Sequence, residues 1–147
     1  MTGSPALKSP AELVGRIGVP SDASLLLIDA PEALVSLLAG TRAPGLPLEA
    51  VTGRGLRAIK GEFDAVLLWR EDRVGSESLL AAAARRLSPS GAIWVVTAMR
   101  KVTGPRTPAM HRLDRRDLEK AFSKEGLRLE REARFSAWHV GYRFARG

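Results

Sequence analysis

The chain has 147 residues, 45% apolar and 27% charged, with a formal net charge of +7. That composition excludes a disordered chain and suits a single domain, residues 1–147, with one sizeable core. There is no Cys, which excludes disulfides, thiolate metal sites and a thiol nucleophile. No apolar run approaches the ~18 residues of a membrane span.

The opening MTGSPALKSPAEL carries no basic segment followed by a long apolar stretch, so a cytoplasmic protein is expected. Asn and Gln are absent and Pro is plentiful at 9, which points to a heat-adapted source. Residues 1–99 hold ten basic and ten acidic side chains, whereas residues 100–147 hold thirteen and six. The whole positive excess therefore lies in the last third, which hints at an anionic partner; an Arg-rich solubilising surface gives the same asymmetry.

An N-terminal helix and linker occupy residues 1–20. Ser9 is placed to cap that helix, Pro10 suits its first position, Glu12 completes a capping box, and Gly18 with Pro20 ends it. Leu25–Ile28 is a continuous apolar run, as expected of a strand buried on both faces of a parallel sheet. A helix follows from about Ala30 to Ala39. Residues 41–47 are a loop, Leu48–Val51 is a candidate short strand, and Arg54–Lys60 a candidate short helix ending at Gly61. Phe63–Trp69 is a second buried strand. Ser76 caps a helix that places Leu79, Leu80, Ala83 and Leu87 on one face, and Ser88-Pro89-Ser90-Gly91 breaks it. Ala92–Thr97 is a third buried strand.

Residues 98–112 lapse into a loop rich in Gly, Pro and basic side chains. Asp114 caps the next helix, with Asp117 at the capping-box position and Leu113 and Leu118 at those of a hydrophobic staple. Gly126 ends it. Leu127–Phe135 alternates apolar with charged residues, and Trp138, Val140, Tyr142 and Phe144 alternate again after a tight Ser136-Ala137 connection, giving an antiparallel hairpin. Its aromatic edge offers a route to a homodimer. Strands alternating with helices imply an α/β fold: a three-layer, mostly parallel Rossmann-like sheet with right-handed crossovers, closed by a C-terminal antiparallel hairpin.

The stretches FDAVLLW, LLAAAARRLSPSGAIWVVT and DLEKAFSKEGLRLEREARFSAWHVGYRF resemble, in this order, the class I methyltransferase fold in a truncated form. The segment IGVPSDASLLLIDAPEAL also resembles the opening of a group of small uncharacterised bacterial proteins of this shape. The resemblance implies S-adenosylmethionine as cofactor, a glycine-rich loop after the first strand, and an acid after the second strand that holds the ribose. The chain departs from that pattern. Asp29-Ala30-Pro31-Glu32 stands where the glycines belong. Asp29 is expected to cap its own helix and Glu32 to complete the box, so that two carboxylates and a proline without an N–H fill the place of a ligand's negative charge. Asp29 and Glu49 are the cofactor-binding candidates if the chain is a methyltransferase. The Asn/Asp-Pro-Pro-aromatic motif of amino-group methyltransferases is replaced by Trp69-Arg70-Glu71-Asp72.

Gly53-Arg54-Gly55-Leu56-Arg57-Ala58 formally matches the dinucleotide fingerprint, with Asp72 downstream, but the unit from Leu48 to Trp69 is shorter than the roughly 30 residues of a full one; a glycine-rich turn is the better explanation. His139 reads as structural. His111 lies in the basic loop and can act as acid or base, or be solvated. That loop, with Arg100, Lys101, Arg106, His111 and Arg112, follows a parallel strand and so belongs over the carboxyl end of the sheet, where α/β folds bind ligands; its Gly and Pro content suits a hinged flap. No catalytic residue or metal site is assigned. Three functions are expected to compete: a non-catalytic module without cofactor, engaging an anionic ligand, nucleic acid or acidic protein through this loop; a methyltransferase with an atypical first loop; and a nucleic-acid binder using residues 100–147.

Overall fold

The computed structural model describes residues 6–46 and 48–146. Six strands form one sheet in the order β2-β1-β3-β4-β6-β5: β1 (Leu25–Ile28), β2 (Leu48–Val51), β3 (Phe63–Trp69), β4 (Leu87–Ala98), β5 (Leu127–Arg134) and β6 (His139–Arg146). The first four run parallel, and β6 and β5 add antiparallel. The four residues of β1 and the centre of β3 are buried on both faces, the environment that an unbroken aliphatic run requires.

Helices cover both faces. On one, α3 (Ser76–Ala84) and α4 (Arg115–Ser123) close a core containing Leu26, Val66, Leu68, Leu80, Ile93, Phe122 and Phe144. On the other, α1 (Pro10–Ile17) and α2 (Glu32–Ala39) cover Leu25, Leu27, Leu67, Trp94 and Phe135. The two layers use alternate residues of the same strands, as the pleat dictates. The Trp94 indole donates to Ile17 O at 3.0 Å, satisfying the largest buried polar group in that layer.

Several expected details take another form. Ser9 sits at φ 44 and makes no side-chain cap, so α1 starts on Pro10 without the box, while Gly18 ends it in a left-handed turn as expected. The α2 helix starts at Glu32 behind Pro31, and neither Asp29 nor Glu32 caps it. The Arg54–Lys60 helix shrinks to a 3₁₀ turn, Gly55–Ala58. Gly75, at φ 73, leads into α3, and Ser76 lies inside it with its hydroxyl on Arg73 O. Ser88–Gly91 does not interrupt the chain; it belongs to β4, whose register against β3 shifts between Phe63 and Ala65. A Cβ on Gly91 would come within 3.0 Å of Asp64 O, so this irregular pairing needs the glycine. The α4 cap is as expected: Asp114 accepts from Asp117 N–H and Asp117 from Asp114 N–H, with Leu113 and Leu118 buried. The aromatic strand β6 lies inside the sheet, and the edge is β5, lined by Arg128, Glu130, Arg131, Glu132 and Arg134. A charged outer strand works against edge pairing. Among the described residues no helix is long and apolar enough to cross a membrane.

Candidate functional site

The carboxyl ends of β1 and β2 meet at Asp29 and Gly53. Asp29 adopts φ 55, a left-handed conformation that Asp tolerates better than most side chains. Its carboxylate turns away from α2 and accepts the Gly53 N–H through both oxygens, each at 3.1 Å. Sequence reasoning placed that carboxylate on its own helix; the left-handed turn aims it at the neighbouring strand end instead. A Cβ on Gly53 would meet Asp29 Oδ2 at 3.0 Å. The Gly55 N–H is held by Thr52 Oγ1 at 3.0 Å. The glycine pair that matched a dinucleotide fingerprint therefore has two of its amides occupied by side chains of the protein. Asp72 accepts from Val74 N–H within its own turn, and Glu49 lies within the edge strand opposite Leu26, two residues short of its end.

Beside this junction opens a groove of about 930 Å³ between the Gly55–Ala58 turn and α3. Asp29, Thr52 and Gly53 form one end and Arg85 and Arg86 the other, with Leu56, Ile59, Leu79 and Ala82 between. Five arginines line it and one carboxylate. Arg70 and Arg86 are tied down, Arg70 to the Asp72 and Val74 carbonyls and Arg86 to those of Ile59 and Gly61. The Arg54, Arg57 and Arg85 side chains are exposed and make no hydrogen bond or ion pair with the described residues. This site is not legible in the sequence because its cations come from three separate segments, Arg54 with Arg57, Arg70, and Arg85 with Arg86; only Gly53–Ala58 stands out there.

The basic segment after β4 is fastened rather than hinged. Arg112 is only 7% exposed. Its Nη1 donates to Met99 O and Val102 O, both at 2.7 Å, and to Arg100 O at 3.3 Å; its Nε donates to Thr107 O at 2.9 Å. It is the internal clamp of the loop and not a surface anion ligand. Gly104, at φ 131, lies flat against the Trp138 indole. Arg100 pairs with Asp114 at 3.7 Å. Lys101, Arg106 and His111 are exposed, and the His111 carbonyl accepts from Arg73 N–H. Further along, Arg131 and Arg146 donate to the carbonyls of Arg16 and Ser88, and Arg143 pairs with Glu130. The loop cations and the groove arginines thus belong to different sites.

Under the loop lies a buried relay. His139 is fully buried against Trp69, ring centroids 4.6 Å apart. Its Nε2 meets Glu71 Oε2 at 2.6 Å and its Nδ1 meets Ser136 Oγ at 2.7 Å. Ser136 Oγ already accepts from the Trp138 and His139 amides, so its own proton goes to Nδ1, which leaves Nε2–H for the carboxylate. Glu71 Oε1 accepts from Thr107 Oγ1 at 3.2 Å. The hydrogen bond from His139 holds the Glu71 carboxyl below its ordinary range, aided by Thr107 and the Arg112 charge and opposed by burial. A serine, a histidine and an acid in line are the parts of a nucleophile. Ser136, however, is fully buried and its oxygen accepts two amides, and the relay ties the hairpin turn to Glu71 and the loop.

Solved structures match the whole of this architecture. A SAM-dependent methyltransferase from Aquifex aeolicus superposes with a TM-score of 0.74 at 10% identity, over 92% of this chain and 88% of that one. A structure described as a type 11 methyltransferase from Sulfolobus solfataricus gives 0.70 at 17% identity, over 96% and 94%. The magnesium protoporphyrin IX methyltransferase from Synechocystis PCC 6803, solved with bound SAH, gives 0.60 at 13%, over 94% and 80%.

The fold is that of the class I methyltransferases.

No family model matches the sequence, and no curated protein does. The methyltransferase fold is therefore carried by the element order and strand pairing. Within it, the junction after β1 is where this chain departs most from the expected glycine loop. Pro31 has no N–H to offer there, and the Asp29 carboxylate stands at the strand end.

Proposed function

We propose that this chain is a non-catalytic binding module on the methyltransferase fold, and that it holds an anionic ligand or partner in the arginine-lined groove beside α3. The observation that carries this reading is the contrast between two neighbouring places. At the β1 end, a carboxylate bonded to Gly53 N–H and a proline oppose an anionic cofactor tail. Beside it, three arginines whose side chains have no partner among the described residues line a cavity of about 930 Å³. Guanidinium groups recognise carboxylates and phosphates through paired hydrogen bonds.

Titration calorimetry with S-adenosylmethionine, its demethylated product and inorganic tripolyphosphate tests the reading. Tripolyphosphate is expected to bind with an affinity that falls steeply with salt, and Arg57→Ala with Arg85→Ala to weaken it by about ten-fold, or ~1.4 kcal/mol. The two cofactor forms are expected to give no heat.

A second reading is a methyltransferase that uses S-adenosylmethionine through an atypical first loop. It is favoured by the fold and by the opening of the groove at the carboxyl ends of β1 and β2, where α/β sheets take ligands. Micromolar binding of S-adenosylmethionine, lost in Asp29→Ala, would establish it in place of the first.

A further inference from the structure

The groove offers more than positive charge. Its floor is aliphatic, with Leu56 and Ile59 on one wall and Leu79 and Ala82 on the other. Each pair is spaced three residues apart, and all but Leu56 are half-buried. The helical layer on this face consists of α4 and α3, followed only by the single turn Gly55–Ala58. The groove is the gap where that layer thins. It follows α3, whose nine residues span about 13 Å. Its volume of about 930 Å³ lies near the top of the roughly 300–1,000 Å³ range of small-molecule sites. No aromatic ring lines it, so it lacks the aromatic platforms on which single-stranded nucleic acids are usually stacked.

We infer that the groove receives an amphipathic helix from an acidic partner protein. Aliphatic side chains at i, i+3, i+4 and i+7 would lie on the Leu56, Ile59, Leu79 and Ala82 floor, and flanking Glu or Asp would meet Arg54, Arg57 and Arg85. The occupant is acidic because five guanidinium groups surround one carboxylate, and that carboxylate is already bonded to Gly53. It is helical because Leu79 and Ala82 on one wall and Leu56 and Ile59 on the other each stand three residues apart, the spacing at which one helix face presents its side chains. This inference rests on the reading of the groove as the anion site.

The test is fluorescence anisotropy on the full chain with labelled peptides of about 14 residues, roughly four helical turns. One carries Leu at i, i+3, i+4 and i+7 with Glu on its flanks. A second has the same composition scrambled so that no apolar face forms. A third keeps the Leu pattern with Lys for Glu, and a short single-stranded RNA is the fourth probe. The acidic amphipathic peptide should bind at least about ten-fold more tightly than each of the others. Reversing two exposed charges, Arg57→Glu with Arg85→Glu, should abolish that preference and favour the Lys peptide. Leu79→Ser should weaken the amphipathic peptide by a larger factor than it weakens tripolyphosphate. Equal binding of the scrambled acidic peptide would overturn the helix while leaving the anion site standing. Tighter RNA binding would overturn the partner class. Failure of every peptide, RNA and tripolyphosphate would remove both readings together.

Discussion

Glu71 joins three segments through one carboxylate: the end of β3, the loop at Thr107 and the hairpin turn at His139. Glu71→Gln keeps the shape but removes the charge that faces the imidazole, and should cost about 1–3 kcal/mol, measured by urea unfolding. Because the folded carboxyl is held below its ordinary range, its contribution is complete above that range and is lost as pH falls through the depressed value. The wild-type melting temperature should therefore drop on acidification below about pH 4, and Glu71→Gln should flatten that part of the profile. At the carboxyl end of β1, Asp29→Ala removes both hydrogen bonds to Gly53 and puts alanine at φ 55. It should destabilise by about 1–3 kcal/mol, more than Asp29→Asn, which tolerates the same backbone. Neither effect is visible in the sequence, where Asp29 reads as a helix cap and Glu71 as one charge among several.

The loop between β4 and α4 is an element whose order depends on one side chain. Arg112 fills it, bonding the carbonyls of Met99, Arg100, Val102 and Thr107. Thr97 Oγ1 on Leu113 O closes its far end. Arg112→Ala leaves several carbonyls without a donor and should raise amide exchange across residues 99–107 while leaving β1, β3 and α4 protected, as hydrogen-exchange mass spectrometry would report. The α4 helix stands at the opposite extreme. Its cap is written locally, in Asp114, Asp117, Leu113 and Leu118, and the structure forms it as spelled. The α2 start fails by the same comparison: Asp29 and Glu32 have the cap composition, but the Asp29 carboxylate finds an amide on a neighbouring strand. Local rules hold where no long-range partner competes.

For the whole molecule, the antiparallel addition of β6 to β4 brings Gly141 under the Phe135 ring, where an added Cβ would overlap it. Gly141→Ala should cost about 1–3 kcal/mol through overpacking, seen as a lower urea midpoint with unchanged slope. The net charge of +7 lies in the last third of the sequence, yet the exposed Arg54, Arg57 and Arg85 that line the groove are in the first two thirds. Linear charge density is a poor guide here. Arg112, Arg131, Arg143 and Arg146 bond to the protein itself, whereas Arg54 and Arg57 meet the distant Arg85 only through the crossover from β2 to β3 and α3.

Apolar runs at Leu25–Ile28 and Phe63–Trp69, the alternation in the hairpin and the Asp114 cap determined the layers, the parallel core and the closing hairpin, because burial on two faces, on one face, or at a helix start each demands a local pattern. Strand order, the turn of Asp29 toward Gly53, the sealing of Arg112 among carbonyls and the groove beside α3 were decided by tertiary structure alone. Each depends on which distant segment a polar group meets, and a hydrogen bond across 24 residues of chain leaves no periodic trace in the sequence.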